Sequence, residues 1–87
     1  MTEDDYTSAL LKFVGEEFQR GEERAVLDEG TPLIETGVLD SLRIAVLLTF
    51  IRDELRVYVP LTRIDAENFA DVRTIARMLT EVAGSAA

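Results

Sequence analysis

At 87 residues and 9.7 kDa, the chain has room for one small core, but not for a core, a deep substrate pocket and a cofactor fold together. It contains no Cys and no His, which excludes disulfides, thiolate nucleophiles, Cys/His zinc sites and histidine general bases. Seventeen Asp and Glu against nine Lys and Arg give a net charge of −8, so nucleic acid and anionic membrane surfaces are repelled overall.

The charge is lopsided. Residues 1–40 carry 11 acids and 3 bases, whereas residues 41–87 carry 6 of each. The N-terminus has no basic, apolar leader pattern, and the longest apolar run, Ile44 to Leu48, is far too short to span a bilayer. The expectation is a cytoplasmic protein with no membrane span.

A first helix is predicted from about Glu3 to Gln19. Thr2 caps it, and Asp5 reaches back as in a capping box. Glu3, Asp4 and Asp5 suit the positive end of its dipole. Tyr6, Leu10, Phe13, Val14 and Phe18 recur at three- and four-residue spacing and form an apolar face. Gly21 is the expected stop. From Gly21 to Asp40 the periodicity weakens around Gly30, Pro32 and Gly37. Val26, Leu27, Leu33, Ile34, Val38 and Leu39 argue that this long connection is pinned to the core.

A second helix is predicted over Ser41 to Leu55 with Asp40 as its N-cap. Its residues Ile44 to Leu48, Phe50 and Ile51 cover nearly every azimuth. No helix is fully enclosed in a chain this small, so Ala45, Val46 and Thr49 are expected on a docking surface. Val57 to Val59 reads as an extended loop ended by Pro60, because a lone strand has no partner. A short helix is expected over Arg63 to Phe69 with Thr62 as cap. A last helix runs from Val72 to Val82, capped by Asp71, with Val72, Ile75, Ala76, Leu79 and Val82 inward. Residues 84–87 form an expected flexible tail. Phe13, Phe18, Phe50 and Phe69 are the natural fillers between helices, and Tyr58 belongs at a rim with its hydroxyl outward. No aromatic platform is interleaved with Lys or Arg.

Asp40-Ser41-Leu42 is the sharpest chemical feature. Ser41 falls in the first turn of a helix, beside unpaired backbone N–H groups that favour an anion, so a phosphodiester on its Oγ is well tolerated. Asp and Ser are also common helix starters, and on local grounds alone structural capping is the stronger reading of the pair. A serine hydrolase is argued against: there is no His, Lys12 is the only Lys, and Asp40 points to a different azimuth from Ser41. Among the acids, Glu16-Glu17 and Glu22-Glu23 read as solvated surface. Asp28, Glu29 and Glu35 have the chemistry for a loose divalent cation, but their spacing does not match a calcium loop. Asp53 and Glu54, flanked by Arg52 and Arg56, suggest surface ion pairs. No metal site is expected.

With these residues in place, the chain resembles the acyl/peptidyl carrier protein superfamily. The stretch Leu33-Ile34-Glu35-Thr36-Gly37-Val38-Leu39-Asp40-Ser41-Leu42 carries the resemblance, which extends from about Tyr6 to Val82. It implies an all-α, acyl-carrier-like four-helix bundle: three main helices, one short helix and a long first loop. The domain is then residues 1–87, with a core of about 3–82.

The resemblance further implies that Ser41 accepts a 4′-phosphopantetheine arm from coenzyme A, through a separate Mg²⁺-using phosphopantetheinyl transferase. The arm's thiol then holds an acyl, aminoacyl or peptidyl group. Asp40 would orient the attachment turn, and Leu42 would anchor the helix from its inner side. The protein is then a shuttle and not an enzyme. Its partners are the transferase, an adenylating or acyl-loading enzyme, and downstream tailoring or condensing enzymes; a shuttle of this kind is expected to be monomeric.

The second helix departs from the fatty-acid-synthesis pattern, which places acids near Arg43, Val46 and Arg52. Docking is therefore expected through apolar contact at Leu39, Val46 and Thr49, tuned by Arg43 and Arg52. Glu35 to Leu42 is closer to free-standing peptidyl, aminoacyl and D-alanyl carriers, although Leu39 stands where modular peptide synthetases usually have Gly. The expected role is a discrete carrier in natural-product biosynthesis. The alternatives are a D-alanyl or specialised fatty-acyl carrier or, in another class, an acidic helical interaction module with Ser41 unmodified.

Overall fold

The computed structural model describes residues 1–18 and 27–85. Three α-helices carry the fold: α1 (Glu3–Phe18), α2 (Ser41–Phe50) and α3 (Val72–Ser85), with no strand among the described residues. The expected helical end at Gln19, the stop at Gly21, the acids Glu22-Glu23, Val26 and the last two tail residues lie outside the described residues. The tail expectation needs correcting within them, because α3 continues through Gly84 to Ser85.

The start of α1 is the reciprocal cap read from its sequence. Thr2 N donates to Asp5 Oδ2 at 2.9 Å, and Asp5 N donates to Thr2 Oγ1 at 3.2 Å. The Thr2 amide, and then its hydroxyl, hold the Asp5 carboxyl below its ordinary value. A depressed carboxyl stabilises the fold above its unfolded pKa; this contribution is lost as pH falls through the lowered value. Tyr6, Leu10 and Val14 are buried and pack against the core of Leu47, Ile51, Phe69, Val72, Ile75, Ala76, Met78 and Leu79. Phe69 is fully buried. Phe13, Phe18 and Phe50 instead form a half-buried cluster, with Phe13 stacked on Phe50 at 4.1 Å and edge-on to Phe18 at 5.6 Å.

The long connection is pinned as its apolar residues imply. Leu33, Val38 and Leu39 are buried, while Ile34 faces outward. Leu33 N donates to Ala70 O at 2.8 Å, and Arg73 N donates to Glu29 O at 2.9 Å. The Arg73 guanidinium also reaches Glu29 Oε1 at 2.8 Å. The connection is thereby tied to the start of α3, a partner 40 or so residues onward that local pattern does not reveal.

Beyond Phe50 the helix widens into a π-helical turn, Ile51–Leu55, that buries Ile51 and Leu55. Arg56 then closes it with φ 59° and ψ 35°, donating its N–H to Ile51 O. This left-handed position is one that glycine occupies without a Cβ clash. Arg56→Gly is therefore expected to stabilise the protein by about 0.5–1 kcal/mol. Arg56→Ala should give no such gain, and chemical denaturation of the two variants checks this.

Val57 to Val59 is extended and unpaired in a sheet, as expected. The short helix is not where the sequence places it. A 3₁₀ turn spans Leu61–Arg63 with Pro60 before it, so Thr62 lies inside the turn rather than capping a helix. Residues 66–69 form separate turns closed by Asp65, whose carboxylate accepts the Asn68 N–H at 2.8 Å. The left-over run is too short to nucleate an α-helix and uses local side-chain bonds instead. Asp71 caps α3 as read, accepting Thr74 N–H at 2.8 Å.

Candidate functional site

Asp40 and Ser41 stand at the junction between the pinned loop and α2. The loop turns at Gly37, whose φ of +80° suits glycine and bars a helix there. Asp40 is extended (φ −134°, ψ −176°), and its Oδ1 accepts Arg43 N–H at 2.8 Å. Asp40 is thus the N-cap, and Ser41 is the first helical residue. Its hydroxyl-bearing side chain is exposed. The N–H groups of Ser41 and Leu42 belong to the first turn, where no intrahelical acceptor exists. An anion esterified to Ser41 Oγ meets these donors and the positive end of the α2 dipole.

Beside Ser41 lies an open groove of about 720 Å³. Ile34, Leu39, Ile44, Ile64 and Ala66 supply its apolar lining, and Asp40 and Asp65 its carboxylates. Sequence reading did not place Ile64, Asp65 or Ala66 beside the serine. They reach the serine through the fold of the 61–70 connection, a contact that no local periodicity encodes.

Three residues assigned from the sequence change roles. Leu42 does not anchor α2 from inside: it is 74% exposed, because the second helical position projects away from α1 and α3. Leu39 is only 2% exposed, so it belongs to the core and the groove floor, not to a projecting docking surface. Arg43 is turned inward as well. Its Nη1 donates to Gly37 O at 3.3 Å and to Val38 O at 3.1 Å, and its guanidinium carbon stands 5.7 Å over the Phe18 ring.

The remaining docking candidates lie outward. Ala45 and Thr49 are exposed, and Val46 is 43% exposed. Arg52 is exposed and pairs with the neighbouring Asp53 at 3.0 Å. Tyr58 is exposed at the rim as read, joined by Leu61, which the sequence reading missed. No helix among the described residues is long and apolar enough to cross a membrane.

The loop acids do not gather into a cation site. Asp28 Oδ1 accepts from Gly30 N–H and the Thr31 hydroxyl, and Glu29 faces Arg73. Among the described residues, no group of three or more Asp or Glu is placed to hold a metal.

Comparison with known proteins agrees with this serine-bearing helical bundle. No family model matches the chain. The probable acyl carrier protein PigG of Serratia sp. (strain ATCC 39006) is 33% identical over 72 residues, which span 83% of this chain and 82% of that protein. A solved structure described as the crystal structure of an FAD-dependent dehydrogenase aligns with TM-score 0.73 and 34% identity. That alignment covers 80% of this chain and 97% of the matched one. The chain belongs to the acyl carrier protein family. It is a non-catalytic carrier that works with biosynthetic enzymes.

Proposed function

We propose that Ser41 Oγ is the attachment point of a 4′-phosphopantetheine arm, and that the chain carries acyl, aminoacyl or peptidyl groups between enzymes of a natural-product pathway. One observation carries the reading: an exposed serine hydroxyl in the first turn of α2, beside free backbone donors and an open, largely apolar groove. The residues present fit the group. Ser41 supplies the oxygen of the phosphodiester, and the first-turn N–H groups balance its negative charge. Asp40 holds the helix start, and Ile34, Ile44 and Ile64 offer apolar contact to the part of the arm nearest the serine. When bound, the arm supplies a thiol that holds cargo as a thioester, so the absence of Cys from the chain is no obstacle.

Residues 1–87 are read as one cytoplasmic, monomeric carrier domain. Its partners by chemical class are a phosphopantetheinyl transferase, an adenylating or acyl-loading enzyme, and enzymes that modify or condense the cargo. The similarity to a chain in an FAD-dependent dehydrogenase structure supports a flavin-dependent oxidation of the tethered group as one of the steps proposed. The matched chain is shorter than this one, and too small to enclose a flavin fold of its own.

The test is intact mass before and after incubation with coenzyme A, Mg²⁺ and a broad-specificity transferase. One added phosphopantetheinyl group, mapped to the peptide containing Ser41, is expected. An arm mapped elsewhere would move the attachment site off Ser41, and no arm with either that transferase or a cognate one favours the interaction module.

The outward face of α2 is the proposed partner surface, through Val46 and Thr49 with Arg52 at its edge. Val46→Glu places a charge where an apolar contact is needed and leaves the core untouched. The melting temperature should move by no more than about 4 °C, as for other surface changes. Processing by a loading enzyme should slow through a raised KM. A collapse in melting temperature with intact processing would instead put Val46 in the core.

A further inference from the structure

We infer that Arg43 is a positioning residue for Ser41, keeping α2 from starting a turn too early so that the first-turn N–H donors stay free for a phosphate on Ser41 Oγ. The inference rests on the reading of Ser41 as the attachment serine.

An α-helix pairs each N–H with the carbonyl four residues earlier. The partners that Ser41 N and Leu42 N would take, were α2 extended by one turn, are Gly37 O and Val38 O. Those are the two carbonyls that Arg43 Nη1 engages, at 3.3 and 3.1 Å. The side chain therefore leaves the helix at its third residue and folds back over the junction, holding the loop on the other side of Ser41. Its own backbone N–H is accepted by Asp40 Oδ1 at 2.8 Å, so one residue fastens both the cap and the loop.

Two further features oppose early winding: the positive φ of Gly37 and the extended backbone of Asp40. Neither ties the loop to α2. Arg43 does, and its guanidinium also lies over Phe18 at the end of α1, which adds a third anchor. It is the one cation between Arg24 and Arg52 in the sequence, in a stretch that includes Asp28, Glu29, Glu35 and Asp40. Acids at this place in α2 would repel the loop carbonyls rather than hold them. The arginine at this position is thus explained within the chain, without a partner surface.

The test compares wild type with Arg43→Met, which keeps the stem and loses the donors, and Arg43→Lys, which keeps charge and donors but loses the guanidinium over Phe18. With the apo chain as substrate of a broad-specificity transferase, Arg43→Met should lower kcat for arm attachment about tenfold, with the KM for the carrier changed less than about twofold. Arg43→Lys should recover most of the rate.

Amide exchange gives a readout independent of the transferase. In Arg43→Met, protection at residues 41 and 42 should rise, as their N–H groups take Gly37 O and Val38 O, while that of α3 is unchanged. Unchanged kcat and unchanged protection overturn the inference, and so does a raised KM at constant kcat, which marks Arg43 as a docking contact. If Arg43→Met fails to fold, Arg43→Lys decides: a near-wild-type rate with near-wild-type protection at residues 41 and 42 is expected, and a change in either one without the other overturns the coupling between loop and serine. Failure of the wild type to acquire an arm is a different result. It removes the Ser41 reading and, with it, the phosphate role of Arg43.

Discussion

Ser41→Ala is expected to abolish arm attachment completely while leaving helical content and melting temperature nearly unchanged. The two halves of this expectation have separate physical causes. Attachment requires an oxygen nucleophile at the junction, and alanine has none. Asp40 does not substitute, because its Oδ1 is occupied by the Arg43 N–H and its backbone is extended outside the helix. The fold does not need the hydroxyl. Ser41 is exposed, the cap is Asp40, and alanine is the better helix former at an exposed position. A thermal shift within about 4 °C is therefore expected, as for surface changes generally. Intact mass and circular dichroism on the same preparation read both halves. A variant that still gains an arm would move the attachment site elsewhere; one that unfolds would make Ser41 a structural residue.

The contrast between Ser41 and its neighbours shows what was legible in the sequence. Cap residues were readable because their bonds are local. Thr2 with Asp5, Asp40 with Arg43 N, and Asp71 with Thr74 N each act over three residues, and residue type at that spacing suffices. The inward stripe of α3 was readable for the same reason, since period fixes the face.

What escaped depends on contacts between distant segments. Leu42 follows Ser41 in a helix apolar on nearly every side, so composition alone did not tell its inner face from its outer one. Leu39 precedes the cap, and its burial follows from the N–H bond to Leu33 O at 2.9 Å that folds the loop over. Arg43 reads as a surface cation until the loop carbonyls are in place. The far wall of the groove, from Ile64 to Ala66, comes from a connection whose turns are set by Asp65 and not by helical periodicity. The site was thus legible at its serine and cap, where the chemistry is local, and illegible at its walls.

The connection that supplies that wall also carries Phe69, the largest fully buried side chain among the described residues. Phe69→Ala is expected to cost about 3–5 kcal/mol, from lost burial and from the cavity left behind. Phe69 is fully buried, although it lies in a turn segment rather than in a helix, and its N–H is accepted by Asp65 O at 3.2 Å. The backbone around it is already held by Asp65 and by the Leu33 N–H bond to Ala70 O, so the surroundings have little freedom to collapse into the vacated space. Domains of this size have stabilities of roughly 4–13 kcal/mol, so the loss is a large share of the whole. A fall in melting temperature of about 12–40 °C follows at 4–8 °C per kcal/mol. Thermal and urea denaturation check it, and a loss below about 1 kcal/mol would mean that neighbouring side chains fill the gap.

The same substitution separates stability from chemistry. Ser41, its cap and the Arg43 tie are untouched, so arm attachment in Phe69→Ala should follow the folded fraction and recover on cooling. Ser41→Ala should show no attachment at any temperature. Attachment lost even where Phe69→Ala is fully folded would mean that the shape of the 61–70 connection takes part in seating the arm.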